Sequence, residues 1–312
     1  MLSKAFLVPY LQIFVGGNMS FLIYLINGLS LGSIYAIIAL GYTMVYGIAK
    51  MLNFAHGDFI MVGCYVIFTI CSTLNGNTVV GLIAAVILCT LLGITTEKVA
   101  YKPLRGAASP LAVLITAIGV SYFLENLALL IFGADIKSFS SVVSWQGLSF
   151  AGGDLKIQGV TIITILSSVV ILIVLQLFIH KTREGQAMLA VAEDKGAAML
   201  MGINVNKTIS LTFAIGSALA AIAGALLCSA YPSLSPYLGA MPGIKAFVAA
   251  VFGGIGSIPG AMIGGLVLGI VEILSRTYIS SQLSDAIVFG ILIVVLLVKP
   301  TGLLGKKIQE KV

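Results

Sequence analysis

Residues 22–46 read LIYLINGLSLGSIYAIIALGYTMVY, and this run decides the fold because it contains no charged residue. A bilayer core takes about 20 apolar helical residues to cross, so the run is long enough to span a membrane. Eight further apolar runs follow: 57–74, 79–96, 109–132, 160–179, 208–230, 242–256, 258–275 and 285–298. The sequence therefore predicts an all-α fold, a polytopic transmembrane helical bundle.

The composition also indicates a lipid environment. The chain has 312 residues, of which 59% are hydrophobic and 9% are charged, whereas about a quarter of a soluble domain is charged. The four cysteines all lie within apolar runs and lack the spacing of metal ligands. We expect them to be packing residues, and the sequence predicts no metal site.

The number of spans is open between eight and nine. Runs 242–256 and 285–298 are short for a full crossing, so they tilt, extend into their flanks or re-enter the membrane. No soluble domain interrupts the runs, and we expect one transmembrane domain over residues 1–312. Residues 1–20 are interpreted as an N-terminal extension, and either Met1 or Met19 fits as the start.

Orientation follows from the distribution of positive charge, because Lys and Arg concentrate in cytoplasmic loops. With nine crossings and the N-terminus outside, twelve of these residues are cytoplasmic and five are not. The twelve are Lys50, Lys98, Lys102, Arg105, Lys181, Arg183, Lys195, Lys207, Lys299, Lys306, Lys307 and Lys311. This orientation places the C-terminus inside and makes segment 133–159 an external loop. It also makes segment 185–203, GQAMLAVAEDKGAAMLMGI, a cytoplasmic helix.

A polar stretch interrupts the apolar pattern after the first span. Asn53, His56 and Asp58 fall within six residues, NFAHGD, and such groups do not lie comfortably against lipid. Either they form a solvated turn at the cytoplasmic end, or they form a helix break that lines or gates a polar path. Both interpretations stay open from the sequence.

A second break is rich in glycine. The stretch GGIGSIPGA covers residues 253–261 and contains the candidate residues Gly253, Gly254, Gly256, Ser257 and Pro259. Glycine lacks a Cβ and proline lacks an N–H, so the chain can turn sharply and pack closely here. Close helix packing and a moving hinge in a transport path are the two interpretations.

The chain carries no recognisable catalytic machinery. Residues 301–307, TGLLGKK, lack the first glycine and the final Ser or Thr of a phosphate loop. With two histidines in the chain, no Ser/His/Asp or Cys/His set can be assembled. Glu272 stands four residues before Arg276, and we expect a local ion pair there. The sequence predicts that the protein is not an enzyme.

Four stretches together resemble the LivH-type permease subunits of branched-chain amino acid ABC importers: 27–58, 192–204, 245–261 and 299–305. The resemblance covers about residues 20 to 305. It implies a multi-pass permease of the bacterial cytoplasmic (inner) membrane that transports leucine, isoleucine and valine. Urea or short-chain amides are alternative substrates within the family, and a stand-alone secondary transporter is an alternative outside it.

The resemblance also implies partners. These are a second homologous permease, two cytoplasmic ATP-binding subunits and a periplasmic or extracellular substrate-binding protein, together with membrane lipid but no nucleic acid. ATP and Mg²⁺ would be used by the ATP-binding subunits, and no cofactor is expected on this chain. Segment 183–203 would be the coupling helix that docks on an ATP-binding subunit. Its expected contact residues are Ala192, Glu193, Asp194, Ala197 and Gly202.

Overall fold

The computed structural model describes residues 4–73, 77–105, 110–150 and 155–305. These residues form eleven α-helices: α1 Lys4–Ala49, α2 His56–Thr73, α3 Thr78–Thr96, α4 Pro110–Phe132, α5 Gly159–Lys181, α6 Arg183–Glu193, α7 Lys195–Leu200, α8 Val205–Ala230, α9 Ala240–Gly253, α10 Ile258–Tyr278 and α11 Ser284–Val298. A π-helical turn, Glu97–Tyr101, and a 3-10 turn, Lys102–Leu104, continue α3. The predicted helical bundle is confirmed.

Four short strands lie outside the helices: β1 Lys137–Ser138, β2 Leu148–Phe150, β3 Leu155–Ile157 and β4 Ser233–Leu234. β1 pairs antiparallel with β4, and β2 pairs antiparallel with β3. The fold is therefore not strictly all-α, and the sequence missed these strands because each has only two or three residues. The β1–β4 pair joins the loop after α4 to the loop after α8.

In the described part of the chain, six helices are long and apolar enough to cross a membrane. They are α1 from Ser20, α3 with its following turns, α4 from Leu111, α5, α8 and α10. The helices α2, α9 and α11 are apolar but shorter. The count of eight or nine spans is therefore not confirmed, because three of the nine predicted runs form helices below the length of a simple crossing.

The helix α1 is the centre of the bundle. Residues 31–45 on this helix are all buried, and α1 packs against α8, α9 and α10. The helix is continuous from Lys4, so no break separates the predicted N-terminal extension, residues 1–20, from the first span. Residues 1–3 of that extension lie outside the described part of the chain.

Glycines allow α1 and α10 to approach closely. A Cβ placed on Gly32 would lie 2.8 Å from both Cα and the carbonyl oxygen of Leu266. A Cβ placed on Gly28 would lie 2.8 Å from Cα of Ile270. Small residues at helix crossings let backbones meet in this way in membranes. The glycines of α1 are therefore needed for packing against α10.

We predict that Gly32→Val destabilises the bundle by about 1–3 kcal/mol or more, because the added side chain meets backbone atoms that cannot move aside. The matched control is Gly290→Val on α11, where an added Cβ meets nothing within 4 Å. Thermal unfolding of the two variants in detergent checks the prediction. Equal melting temperatures would contradict the close packing of α1 on α10.

Candidate functional site

The helix α2 begins inside the bundle rather than at its edge. The His56 ring packs against Tyr42 with centroids 4.6 Å apart, and a Cβ on Gly41 would lie 2.6 Å from His56 Cε1. Gly41 precedes the end of α1 by two helical turns, which is about 12 Å at 1.5 Å per residue. The chain therefore turns back after α1 and re-enters the bundle before α2 starts.

The helix α9 begins at the same place. A Cβ on Gly57 would lie 2.5 Å from the carbonyl oxygen of Gly239, and a Cβ on Gly243 would lie 3.0 Å from Cα of Gly57. The N-termini of α2 and α9 are therefore neighbours inside the bundle. The 14 residues of α9 are too few for a simple crossing. Helix N-termini carry a partial positive charge, and two of them meet here.

The three polar residues of the first break are buried, with exposed fractions of 3% for Asn53, 1% for His56 and 2% for Asp58. The solvated-turn interpretation is therefore wrong, and a break within the protein is what the structure contains. Ser121 and Glu125 of α4 lie close enough to Asp58 to interact with it. The function of the three residues in a path stays a prediction.

Asn53 is the member of this group that faces a cleft. Its side-chain oxygen accepts a hydrogen bond of 2.8 Å from the Tyr101 hydroxyl. Its Nδ2 is buried and has no hydrogen-bond partner within the part of the chain that the structure describes. The narrow cleft beside it is lined by Tyr42, Tyr46, Met51, Leu52, Asn53, Phe247, Ala250 and Ile255. A buried polar group without a partner is costly, and the cleft beside this donor is too narrow in this structure to hold a water.

The cleft also connects the two predicted breaks, because Ile255 belongs to the turn between α9 and α10. In this turn Gly254 and Gly256 have φ angles of 107° and 91°, which side chains rarely adopt. The Ser257 hydroxyl oxygen caps α10 by accepting from the N–H of Gly260 at 3.2 Å, and Pro259 follows in the first turn. The glycines and the cap thus build a sharp turn.

The C-terminal segment closes this turn from the other side. The N–H groups of Leu303 and Leu304 donate to the carbonyl oxygens of Phe252 and Gly253, each at 2.9 Å. Gly253 itself packs against Gly260. These contacts support the close-packing interpretation, and a hinge movement at this turn stays a prediction.

A buried ionic network fixes α9, and the sequence missed most of it. Lys245 donates hydrogen bonds of 2.7 Å to both Glu272 and Asp285, and Tyr35 donates one of 2.8 Å to Glu272. The expected ion pair between Glu272 and Arg276 is also present. The orientation count places Lys245 among the five residues that are not cytoplasmic, and the structure buries it on α9 with 3% exposed. Its partners are 27 and 40 residues away, so no local pattern could reveal them.

The predicted coupling helix, 183–203, is two helices rather than one. Asp194 separates α6 from α7, and its side chain accepts hydrogen bonds from the N–H groups of Gly196 and Ala197 at 2.7 and 3.0 Å. An N-cap of this kind ends one helix and begins the next. Gly202, with a φ of 82°, then ends the segment. Asp194 is therefore a structural cap, which the sequence interpretation missed.

The end of α7 exposes an apolar tip that consists of Met199, Leu200 and Met201. Their exposed fractions are 60%, 90% and 82%. Of the predicted contact residues, Glu193 and Ala197 are exposed and Ala192 is half-buried. Exposed apolar groups of this kind mark interaction sites. The apolar tip was not among the predicted contacts, because such residues read as core residues in a sequence.

The buried cysteines pack where α2, α3 and α8 meet. The sulfur atoms of Cys64 and Cys228 are 3.2 Å apart, and the Cys89 thiol donates to the Phe59 carbonyl oxygen at 3.4 Å. Among the described residues, no group of three or more His, Cys, Asp or Glu side chains could hold a metal ion.

The family model described as branched-chain amino acid transport system / permease component matches residues 24–296. The high-affinity branched-chain amino acid transport system permease protein LivH of Salmonella typhimurium is 46% identical over 306 residues, covering 94% of this chain and 98% of the relative. LivH of Escherichia coli K12 has the same identity and coverage. BraD of Pseudomonas aeruginosa is 45% identical over 301 residues, covering 92% of this chain and 97% of the relative. These matches include both breaks and the segment α6–α7.

We predict that Lys245→Met destabilises the protein by about 3 kcal/mol, because it leaves Glu272 buried with less compensation. The control is Lys207→Met, which removes an exposed ion pair with Glu184 at 3.4 Å and should change the stability by less than about 1 kcal/mol. Thermal unfolding in detergent measures both. If the two variants melt together, the ionic network does not stabilise α9.

Proposed function

The chain belongs to the branched-chain amino acid transport system permease family, and we propose that it lines the translocation path of an ATP-driven importer for leucine, isoleucine and valine. It is a membrane permease and not an enzyme, and ATP is hydrolysed by a separate subunit. The observation that carries the proposal is the meeting of the N-termini of α2 and α9 inside the bundle. Helices that begin in the middle of a bundle, here called half-helices, form transport sites in other membrane proteins.

The chemistry of the cleft suits a branched-chain amino acid. The helix N-termini offer partial positive charge to a carboxylate, and Asn53 Nδ2 offers a free hydrogen-bond donor next to them. The rings of Tyr42 and Phe247 and the side chain of Ile255 form apolar walls, which suit an aliphatic side chain. Urea lacks both the charge and the aliphatic group, and short-chain amides lack the charge, so both use fewer of these features.

We infer that nine apolar helices enter the inner membrane, with α2 and α9 covering part of its depth. The pairing of β1 with β4 holds the loops after α4 and α8 on one side. Lys195 contacts the end of α1, and Leu304 contacts the end of α9. These contacts support placing segment α6–α7 and the C-terminal segment together on the opposite side. The positive charge on that second side favours the cytoplasm, and the N-terminus is then outside.

The partner subunits fit the two sides of this arrangement. The apolar tip of α7 supports docking on a cytoplasmic ATP-binding subunit, whose groove would cover Leu200. The external loop, with Trp145 46% exposed, faces a substrate-binding protein. A second homologous permease would complete the path, and two ATP-binding subunits would use ATP and Mg²⁺.

We predict that Asn53→Asp lowers leucine uptake at least about tenfold, because a buried carboxylate repels the carboxylate of the substrate. The change keeps the shape of Asn53 and leaves an oxygen for Tyr101. The matched control is Asn77→Asp, since Asn77 is the exposed N-cap of α3 and Asp caps equally well. Uptake of labelled leucine and of labelled urea is measured in vesicles that contain the complete complex, with and without ATP.

Three results would argue against the proposed function. Equal leucine uptake by both variants would mean that the substrate does not pass Asn53. Uptake of urea in place of leucine would favour the amide-transporting branch of the family. Uptake that does not depend on ATP would favour a stand-alone secondary transporter.

We predict that Leu200→Asp weakens the association with the ATP-binding subunits by about 2 kcal/mol or more, as expected for a central apolar contact. The matched control is Leu148→Asp, since Leu148 is 45% exposed on the opposite side of the membrane. Co-purification of the ATP-binding subunits in mild detergent measures the effect. Full retention of these subunits by Leu200→Asp would exclude the apolar tip as the docking site.

A further inference from the structure

The end of α1 is an unusual point in the backbone. Lys50, which follows Ala49, has a φ of 58° although it is not a glycine, and its N–H donates to the Tyr46 carbonyl oxygen at 2.9 Å. This left-handed residue stops α1, and the chain then turns back into the bundle as the re-entrant segment, residues 50–55. The last carbonyl groups of α1 are thereby left without partners from their own helix.

One of these carbonyl groups is bound by the cytoplasmic segment. Lys195 Nζ donates a hydrogen bond of 3.0 Å to the carbonyl oxygen of Ala49. The end of a helix carries partial negative charge, which attracts an ammonium group. Desolvation by burial, and then the neighbouring charges of Arg105 and Lys50, lower the pKa of Lys195. Burial and the two neighbouring positive charges therefore disfavour the charged form of Lys195. The hydrogen bond to the carbonyl oxygen of Ala49 stabilises it.

Lys195 is also rigidly connected to the apolar tip. It is the first residue of α7, a helix of six residues and therefore about 9 Å long, and Leu200 is the last. The Asp194 cap on Gly196 and Ala197 holds the start of this helix. A force applied at Leu200 thus reaches Lys195 through a single capped helix.

The other end of the re-entrant segment is fixed separately. Asn53 accepts its hydrogen bond from Tyr101, which belongs to the π-helical turn after α3. The Glu97 carboxylate in the same turn is paired with Arg105 and accepts from the Ser210 hydroxyl of α8. The re-entrant segment is therefore anchored at Asn53 by the turn after α3, while α7 contacts Ala49, the last residue of α1, directly before the segment.

We propose that Lys195 is a positioning residue that transmits the movement of α7 to the re-entrant segment and so to the cleft beside Asn53. The proposal rests on the proposed function, because it requires ATP-binding subunits that move α7. A shift of α7 carries the ammonium of Lys195 and displaces the carbonyl of Ala49. Residues 50–52 then move against the fixed Asn53, which changes the width of the cleft that Met51 and Leu52 line.

The test compares Lys195→Met with Lys195→Arg and Lys207→Met in the complete complex with its partner subunits, reconstituted in lipid vesicles. The measured quantity is the number of leucine molecules transported per ATP hydrolysed. Lys195→Met should lower this ratio severalfold, because ATP hydrolysis would then move α7 without displacing the carbonyl of Ala49. Lys195→Arg keeps a charged donor of similar reach and should keep most of the ratio. Lys207 lies on the same cytoplasmic side in an exposed pair, and Lys207→Met should keep the ratio.

An unchanged ratio for Lys195→Met would overturn the role of Lys195, and so would a loss that Lys195→Arg does not rescue. If Lys195→Met does not assemble, the same ratio is measured for Lys195→Gln, which removes the charge and shortens the side chain that reaches Ala49. A lowered ratio in that assembled variant supports the proposal, and an unchanged ratio contradicts it. Failure of the unchanged complex to transport leucine would instead overturn the proposed function, and the role of Lys195 with it.

Discussion

A backbone polar group in a bilayer must find its partner inside the protein, because lipid offers none. This constraint decides where the chain can interrupt a helix. The helices α2 and α9 both begin within the bundle, where Gly57 and Gly239 bring their backbones into contact. The fully buried stretch of α1 and its neighbours α8 and α10 enclose that point. Lipid-facing apolar side chains are left to helices such as α3, α4 and α5.

The ionic network around Lys245 holds α9 in its position. A half-helix lacks the second half that would anchor it in the membrane, so α9 needs other contacts to keep its position. Lys245 supplies them by bonding to α10 through Glu272 and to the start of α11 through Asp285. Buried charges are tolerated only when they are paired in this way.

Hydropathy predicts much of this fold, since lipid contact selects apolar residues and leaves nine runs visible in the sequence. The two breaks are also visible, because NFAHGD and GGIGSIPGA do not fit a continuous apolar helix. The sequence does not show how deep in the bundle a helix begins. The sequence of α2 looks like a full span, although α2 starts at His56, which lies beside Gly41, two helical turns before the end of α1. The partners of Lys245 and the exposure of Leu200 were equally hidden, because both depend on where distant helices lie rather than on a local period.

The two breaks differ in a way that bears on mechanism. The turn between α9 and α10 is tied by backbone hydrogen bonds to Leu303 and Leu304, so its movement would require those bonds to break. The re-entrant segment before α2 is tied to the rest of the protein by side chains, because Lys195 bonds to Ala49 directly before it and Tyr101 bonds to Asn53 within it. Side chains can change partners at a smaller cost than a packed backbone turn can unfold. The first break is therefore the better candidate for the predicted gate, because the second is held more firmly by its backbone bonds.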